Sequence, residues 1–186
     1  PAGLSFEEAA ANSFVVITAI RALEIAAHLK RGERVLIHAA SGGVGQAAVQ
    51  LAKWIGAEVF GTASPPKQDF VRRNGADHVL NSRTLDFADE IMKLTGGEGV
   101  DVVLNSLNEE YIPKSLSVLK PGGRFVEIGA LGIWTPEQVK AFRGDVAYER
   151  FDMLNEEIAA PGMMGRMLRD ALARFDALNS LGGFAF

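Results

Sequence analysis

Short apolar runs alternate with longer amphipathic stretches along most of this chain, and glycine or proline marks nearly every boundary. Ser5-Phe6-Glu7-Glu8 fits a capping box, with Ser5 as N-cap and Glu8 at the third helical position; an apolar pattern of helical period follows to about Leu29. Arg31-Gly32-Glu33 turns the chain into a predicted strand, Val35–His38. Val44, Ala48, Leu51 and Ile55 then share one face of a predicted helix over Val44–Ile55, which Gly56 stops. The alternation repeats. Strand Glu58–Thr62 precedes a helix from about Pro66 to Asn74, and strand His78–Leu80 precedes a helix over Leu85–Leu94. Gly96-Gly97 breaks that helix before a buried strand, Val100–Leu104. A helix around Glu109–Leu119 ends at Lys120-Pro121-Gly122-Gly123, strand Arg124–Ile128 follows, and Val146–Phe151 reads as a sixth strand. Beyond Pro161 the pattern is helical to about Leu178, then loose and glycine-rich.

Strands alternating with helices imply a parallel sheet covered on both faces. Six strands match a complete doubly wound α/β fold of the Rossmann type, for which the order 3-2-1-4-5-6 is expected. One nucleotide-binding domain then spans residues 1–186, with a leading helix over 1–30 and a helical tail over 156–186.

The first strand-to-helix junction carries the chemistry. Gly43-Val44-Gly45-Gln46-Ala47-Ala48 reads G-x-G-x-x-A between a strand and a helix. In that setting the first glycine permits a tight turn, the second lets backbone approach a pyrophosphate, and the alanine lets helix pack on strand. The free N–H groups and dipole of the helix start attract phosphate, so Ser41, Gly42, Gly43, Val44 and Gly45 are candidate pyrophosphate holders.

The second strand selects the dinucleotide. An NAD site carries Asp or Glu about 20 residues after the glycines. Here the strand runs out through Thr62-Ala63-Ser64 into Pro65-Pro66-Lys67, with no carboxylate. A hydroxyl and a lysine suit a 2′-phosphate, and Arg83 after the third strand can close over it, which points to NADPH. Thr62, Ser64, Lys67 and Arg83 are the candidates, against the reading that the cations are solvated surface charges. Ligands in open α/β sheets lie beyond the carboxyl ends of the strands. That adds Asn105, Ser106 and Leu107 after strand four and Ile128 and Gly129 after strand five, although Asn105 also fits an Asx turn. Asp152 ends the last strand, either as a carboxylate at the site mouth or as the N-cap of a following helix.

Composition narrows the field. With 23 acidic and 19 basic residues, a net charge of −4 gives no basic face for nucleic acid. The chain has no cysteine, and its three histidines lack metal-ligand spacing, so no metal is expected. No apolar run is long enough to span a membrane and the N-terminus does not read as a signal peptide, so a cytoplasmic location is expected. The abrupt opening Pro1-Ala2-Gly3 points to a piece of something larger.

Taken together, these residues resemble the zinc-free medium-chain reductases such as quinone reductases, through Ala39–Ala52. More narrowly the chain resembles the enoyl reductase domain of modular polyketide synthases and animal-type fatty acid synthases. Leu4–Ala10, Gly75–Val79, Asn81–Ala88, Gly99–Leu107 and Pro121–Gly129 carry that resemblance in family order and spacing. It implies NADPH-dependent reduction of an α,β-unsaturated thioester on an acyl carrier protein, with hydride to the β-carbon and a proton to the α-carbon. It also implies a substrate-binding domain outside this chain. Family members commonly carry a lysine, paired with the aspartate matching Asp152, where this chain has Ala130; the tail Asn179–Phe186 departs from the family as well. A stand-alone quinone oxidoreductase and a non-catalytic synthase module remain the alternatives, and the edge of the last strand is compatible with a homodimer.

Overall fold

The computed structural model describes residues 14–179. The predicted capping box at Ser5 and Glu8 and the last seven residues of the tail lie outside that range. A leading helix, α1, occupies residues 14–26, and its second half, Arg21–Ala26, is π-helical. Then follow β1 (Arg34–Ile37), α2 (Gly43–Ile55), β2 (Glu58–Ala63), α3 (Gln68–Arg73), β3 (His78–Asn81), α4 (Phe87–Leu94) and β4 (Val100–Asn105). The second half runs α5 (Tyr111–Ser117), β5 (Leu119–Glu127), α6 (Pro136–Phe142), β6 (Ala147–Arg150), α7 (Met153–Ala159) and α8 (Met163–Asn179).

All five strand pairings are parallel and the order is β3-β2-β1-β4-β5-β6, as the alternating pattern predicts. Alternate side chains of each strand feed two cores, because Cβ atoms alternate across a strand. On one face Val35, Ile37, Val59 and Leu104 pack against α1, α2 and α3. On the other Leu36, Phe60, Val103 and Phe125 pack against α4, α5 and α6 through Phe87, Ile91, Ile112, Leu116 and Val139. Burying each such side chain stabilises the fold by roughly 1.5–3 kcal/mol. Central strands covered on both faces hold the sheet's carboxyl edge, where ligands of such sheets lie, in fixed register.

Two elements differ from the sequence reading. Strand β5 begins at Leu119 rather than Arg124: Val100 pairs Leu119 and Val102 pairs Arg124, so Lys120–Gly123 bulges out of a continuing strand, with Gly122 at φ 74°. Helix α6 was not anticipated. Thr135 accepts from the Gln138 backbone N–H and Gln138 returns a bond to the Thr135 N–H, with Pro136 at the first helical position, so its start carries a complete capping box.

Just below the carboxyl edge, His38 is fully enclosed. Its Nδ1 lies 3.1 Å from Thr62 Oγ1 and its Nε2 2.7 Å from Ser115 Oγ, which ties β1 to β2 and α5. Burial pushes its pKa down to about 3, so the folded protein holds the ring neutral. The unfolded chain takes up a proton near 6.5, and so binds more protons than the folded chain between 6.5 and 3. His38's contribution is therefore complete above that window and is lost as the pH falls through it. About 2 kcal/mol should be gone at pH 5. Urea denaturation at pH 7 and pH 5 checks this: His38→Gln should lack that part of the pH dependence, and an unchanged pH slope would contradict the neutral, enclosed histidine.

Candidate cofactor site

The glycine loop leaves β1 through Ala39, which adopts φ 49°. The left-handed turn residue is thus an alanine; neither Gly43 nor Gly45 has positive φ. The glycines are required by packing instead. A Cβ on Gly45 would lie 2.3 Å from the Ala39 carbonyl oxygen and 2.7 Å from Ala40 Cα, so the start of α2 meets the turn leaving β1 at a distance only glycine allows. A Cβ on Gly43 would lie 2.9 Å from Val15 Cγ1 of α1. Ala48 is buried as the third position requires. Gln46, which the sequence reading did not single out, donates from Nε2 to the Ser41 carbonyl at 3.0 Å and pins the loop. Gly42 is the N-cap and no side chain caps α2, so the first-turn N–H groups stay open to a ligand.

A cavity of about 260 Å³ opens beside this loop at the ends of β2 and β3, lined by Ser41, Ser64, Lys67, Ser82, Arg83 and Leu107 together with two alanines. It thus brings together five residues predicted separately from four segments. Pro65–Lys67 forms a single 3₁₀ turn, with the Lys67 N–H on the Ser64 carbonyl, that folds Lys67 back over the strand end. Asn81 accepts from the Arg83 N–H at 2.9 Å and turns the chain there. Ser82 was missed; its carbonyl accepts from the Tyr111 hydroxyl at 3.3 Å, which ties the loop to α5. Lys67 and Arg83 are exposed and have no ion-pair partner among the described residues, and no carboxylate lines the cavity. Two unpaired cations beside hydroxyls fit a phosphate ester. Thr62 faces elsewhere: its hydroxyl is on His38 and its carbonyl accepts from the Ala40 N–H. Thr62 is still inside the strand and wholly buried against His38, whereas Ser64 lies just past the strand's end, on the cavity.

The other end of the edge is organised by a residue absent from the prediction. Glu127, wholly buried, accepts from Asn105 Nδ2 at 2.7 Å through one oxygen and from the Gly129 N–H at 2.6 Å through the other. Asn105 also donates to the Leu107 carbonyl at 2.8 Å and accepts from the Leu107 N–H at 3.3 Å, closing the expected Asx turn. Its side chain is therefore committed to the loops, and one carboxylate clamps both Ser106-Leu107 and Ile128-Gly129. Burial pushes the Glu127 pKa up, outweighing its hydrogen bonds and the nearby charge of Arg150. A glutamate inside the apolar run of β5 was the available signal. Glu127→Gln leaves two donors facing one acceptor, which costs about 1–3 kcal/mol, while removal of a buried charge offsets part of that. The expected result is a stability change under ~1 kcal/mol with dinucleotide affinity about tenfold weaker, read by thermal unfolding and calorimetric titration.

A second cavity of about 260 Å³ lies at the ends of β5 and β6, lined by Val44, Ile128, Gly129, Ala130, Arg150 and Asp152 among others. Arg21 supports its wall, bridging Glu149 at 2.7 Å and Glu156 at 2.8 Å, with its guanidinium 4.8 Å from the Phe151 ring centroid. Asp152 is engaged as the N-cap of α7. Its Oδ1 accepts from the Leu154 and Asn155 N–H groups at 2.9 and 3.3 Å, and its Oδ2 from Asn155 Nδ2 at 3.0 Å. The cap reading of this residue accounts for its geometry, with both carboxylate oxygens engaged at the helix start.

Two cavities flanking one uncapped helix start, at the carboxyl edge of a doubly wound parallel sheet, define a dinucleotide-binding domain. The sequence model of the family described as zinc-binding dehydrogenase matches residues 43–170. The nucleotide-binding subdomain of the enoylreductase domain of PpsC from Mycobacterium tuberculosis superimposes with a TM-score of 0.81 at 37% identity, over 94% of this chain and 97% of that one. The CurK enoyl reductase gives a TM-score of 0.91 at 55% identity, over 99% of this chain and 54% of that one. The pikromycin polyketide synthase component PikAII of Streptomyces venezuelae is 47% identical over 178 residues, 95% of this chain but 5% of that protein. The chain belongs to the zinc-binding dehydrogenase family and, within it, to the nucleotide-binding subdomains of polyketide synthase enoyl reductases. It spans a small part of the synthase components and about half of the whole reductases it matches. Membership implies a nicotinamide cofactor. A zinc ion does not fit: the chain lacks cysteine, and among the described residues no three His, Asp or Glu side chains gather as ligands. Among the described residues no helix is long and apolar enough to cross a membrane.

Proposed function

We propose that this chain is the cofactor-binding half of an NADPH-dependent enoyl reductase that acts on an α,β-unsaturated thioester carried by an acyl carrier protein in polyketide biosynthesis. The observation that carries this reading is the cavity formed by Ser64, Lys67 and Arg83, with two unpaired cations and no carboxylate. A 2′-phosphate fits it, and a carboxylate in that place would repel one. The N–H groups of the Gly43–Gly45 turn cradle the pyrophosphate, and the loops held by Glu127 present Leu107 to the adenosine half and Ile128 and Gly129 to the nicotinamide half.

NADPH supplies a hydride to the β-carbon when bound, and a proton reaches the α-carbon. This chain's residues contribute orientation: the buried Asn105–Glu127–Gly129 clamp fixes the wall against which the cofactor rests. The partners in this reading are the acyl carrier protein and the substrate-binding domain of the same enzyme, in the cytoplasm.

The full-length parent protein, given crotonyl-CoA as a carrier mimic, should consume NADPH and yield the saturated thioester. Quinone reduction without thioester reduction would favour the stand-alone quinone oxidoreductase instead. Ala130 and the capped Asp152 favour a second reading, a non-catalytic synthase module, in which neither substrate is reduced. The unpaired Lys67 and Arg83 weigh against it, because a structural domain has no use for an open phosphate site.

A further inference from the structure

The cavity at the ends of β5 and β6 has a mostly apolar lining with three polar side chains, Thr18, Arg150 and Asp152. Two are already engaged. Thr18 donates its hydroxyl proton to the Phe14 carbonyl at 2.7 Å, and Asp152 caps α7 with both oxygens. Arg150 is exposed and has no hydrogen-bond or ion-pair partner among the described residues. It is the register partner of Glu127, so the two side chains leave the same face of the sheet at the carboxyl edge. Glu127 itself is held by Asn105 and Gly129. The guanidinium thus sits beside a buried carboxylate whose oxygens are taken, at the mouth of an apolar cleft. Arg150 lines that cleft with no bonded partner of its own among the described residues.

We propose that Arg150 is the catalytic side chain that meets the negative charge developing on the thioester carbonyl oxygen during enoyl reduction, an inference that rests on the function proposed above. As hydride from NADPH forms the new C–H bond at the β-carbon, the π pair of the alkene shifts toward the carbonyl and its oxygen becomes an enolate. The enolate then takes a proton from water at the α-carbon; the alkene is reduced by two electrons and NADPH is oxidised to NADP⁺. Arginine stays charged throughout, so Arg150 stabilises the oxyanion and does not donate the proton. Where bound substrate excludes water from the apolar walls, a cation acts more strongly on charge that appears only in the transition state. Val44 lines the same cleft and belongs to the glycine turn, which places this cation and the cofactor loop on one cavity.

The test uses the full-length parent protein with crotonyl-CoA and compares wild type, Arg150→Ala and Arg150→Lys. Arg150→Ala should lower kcat by about 10²–10³-fold, the effect of removing one oxyanion donor, with NADPH Kd and melting temperature unchanged. Arg150→Lys should keep part of the rate near neutral pH and lose it as the lysine titrates near ~10, where wild type does not respond. An unchanged kcat in Arg150→Ala overturns the proposal. So does a rise in NADPH Kd of the same size as the rate loss, which would make Arg150 a cofactor ligand. Wild-type protein that binds NADPH but reduces no thioester would overturn the enoyl reductase reading itself, a result separate from either of these.

Discussion

Gly45→Ala is expected to abolish dinucleotide binding and to cost the fold roughly 3 kcal/mol or more, the upper end of what overpacking a core does. The added methyl would lie 2.3 Å from the Ala39 carbonyl oxygen, 2.7 Å from Ala40 Cα and 2.9 Å from the Ala39 carbonyl carbon. All three are backbone atoms, so no rotamer change relieves the contact. Retreat of the turn is blocked as well, because Ala39 already holds φ 49° and Ala40 is fixed by its bond to the Thr62 carbonyl. The helix start must then lift off β1 and carry the phosphate-facing N–H groups with it. Gly42→Ala is the internal control, since its Cβ would meet only the Ala39 oxygen at 3.2 Å. Urea denaturation and NADPH titration of both variants check this. Equal behaviour of the two would contradict the close helix–strand contact.

Removing both cations of the β2–β3 cavity, by Lys67→Ala with Arg83→Ala, is expected to weaken NADPH about 10²-fold and NADH by less than about twofold. Each charge-assisted hydrogen bond contributes about 1.5–3 kcal/mol, and exposure of both side chains puts them at the low end. Either single variant should give about a tenfold loss for NADPH. Neither side chain has an ion-pair partner among the described residues, so the fold should be indifferent to the change. Parallel titrations with the two cofactors are the measurement. Equal weakening of both would mean the cations do not read the 2′-phosphate.

Much of this was readable from pattern, and the rest failed for physical reasons. Period and glycine punctuation locate all six strands because central parallel strands are apolar on both faces. They misplace the start of β5 because Pro121-Gly122-Gly123 has turn chemistry, yet the strand passes through it as a bulge. Helix α6 was legible in Thr135-Pro136-Glu137-Gln138, a capping box without a long apolar run to draw attention. The lining of the β2–β3 cavity was legible because hydroxyls and cations follow strand ends at short range. Thr62 is taken up by His38, a buried partner that no local pattern in the sequence reveals. Glu127 and Arg150 were missed because their meaning depends on register, and only the pairing of β5 with β4 and β6 sets Glu127 between Asn105 and Arg150.

The claim at the centre of this account is that the chain holds a working NADPH site with a phosphate-reading end. A solved relative consists of this subdomain alone, so the decisive measurement needs only this chain: calorimetric titration with NADPH and, in parallel, NADH. The expected result is micromolar binding of NADPH with NADH at least tenfold weaker, about 1.4 kcal/mol or more from the 2′-phosphate. Equal affinity for the two, or no binding of either, would contradict it.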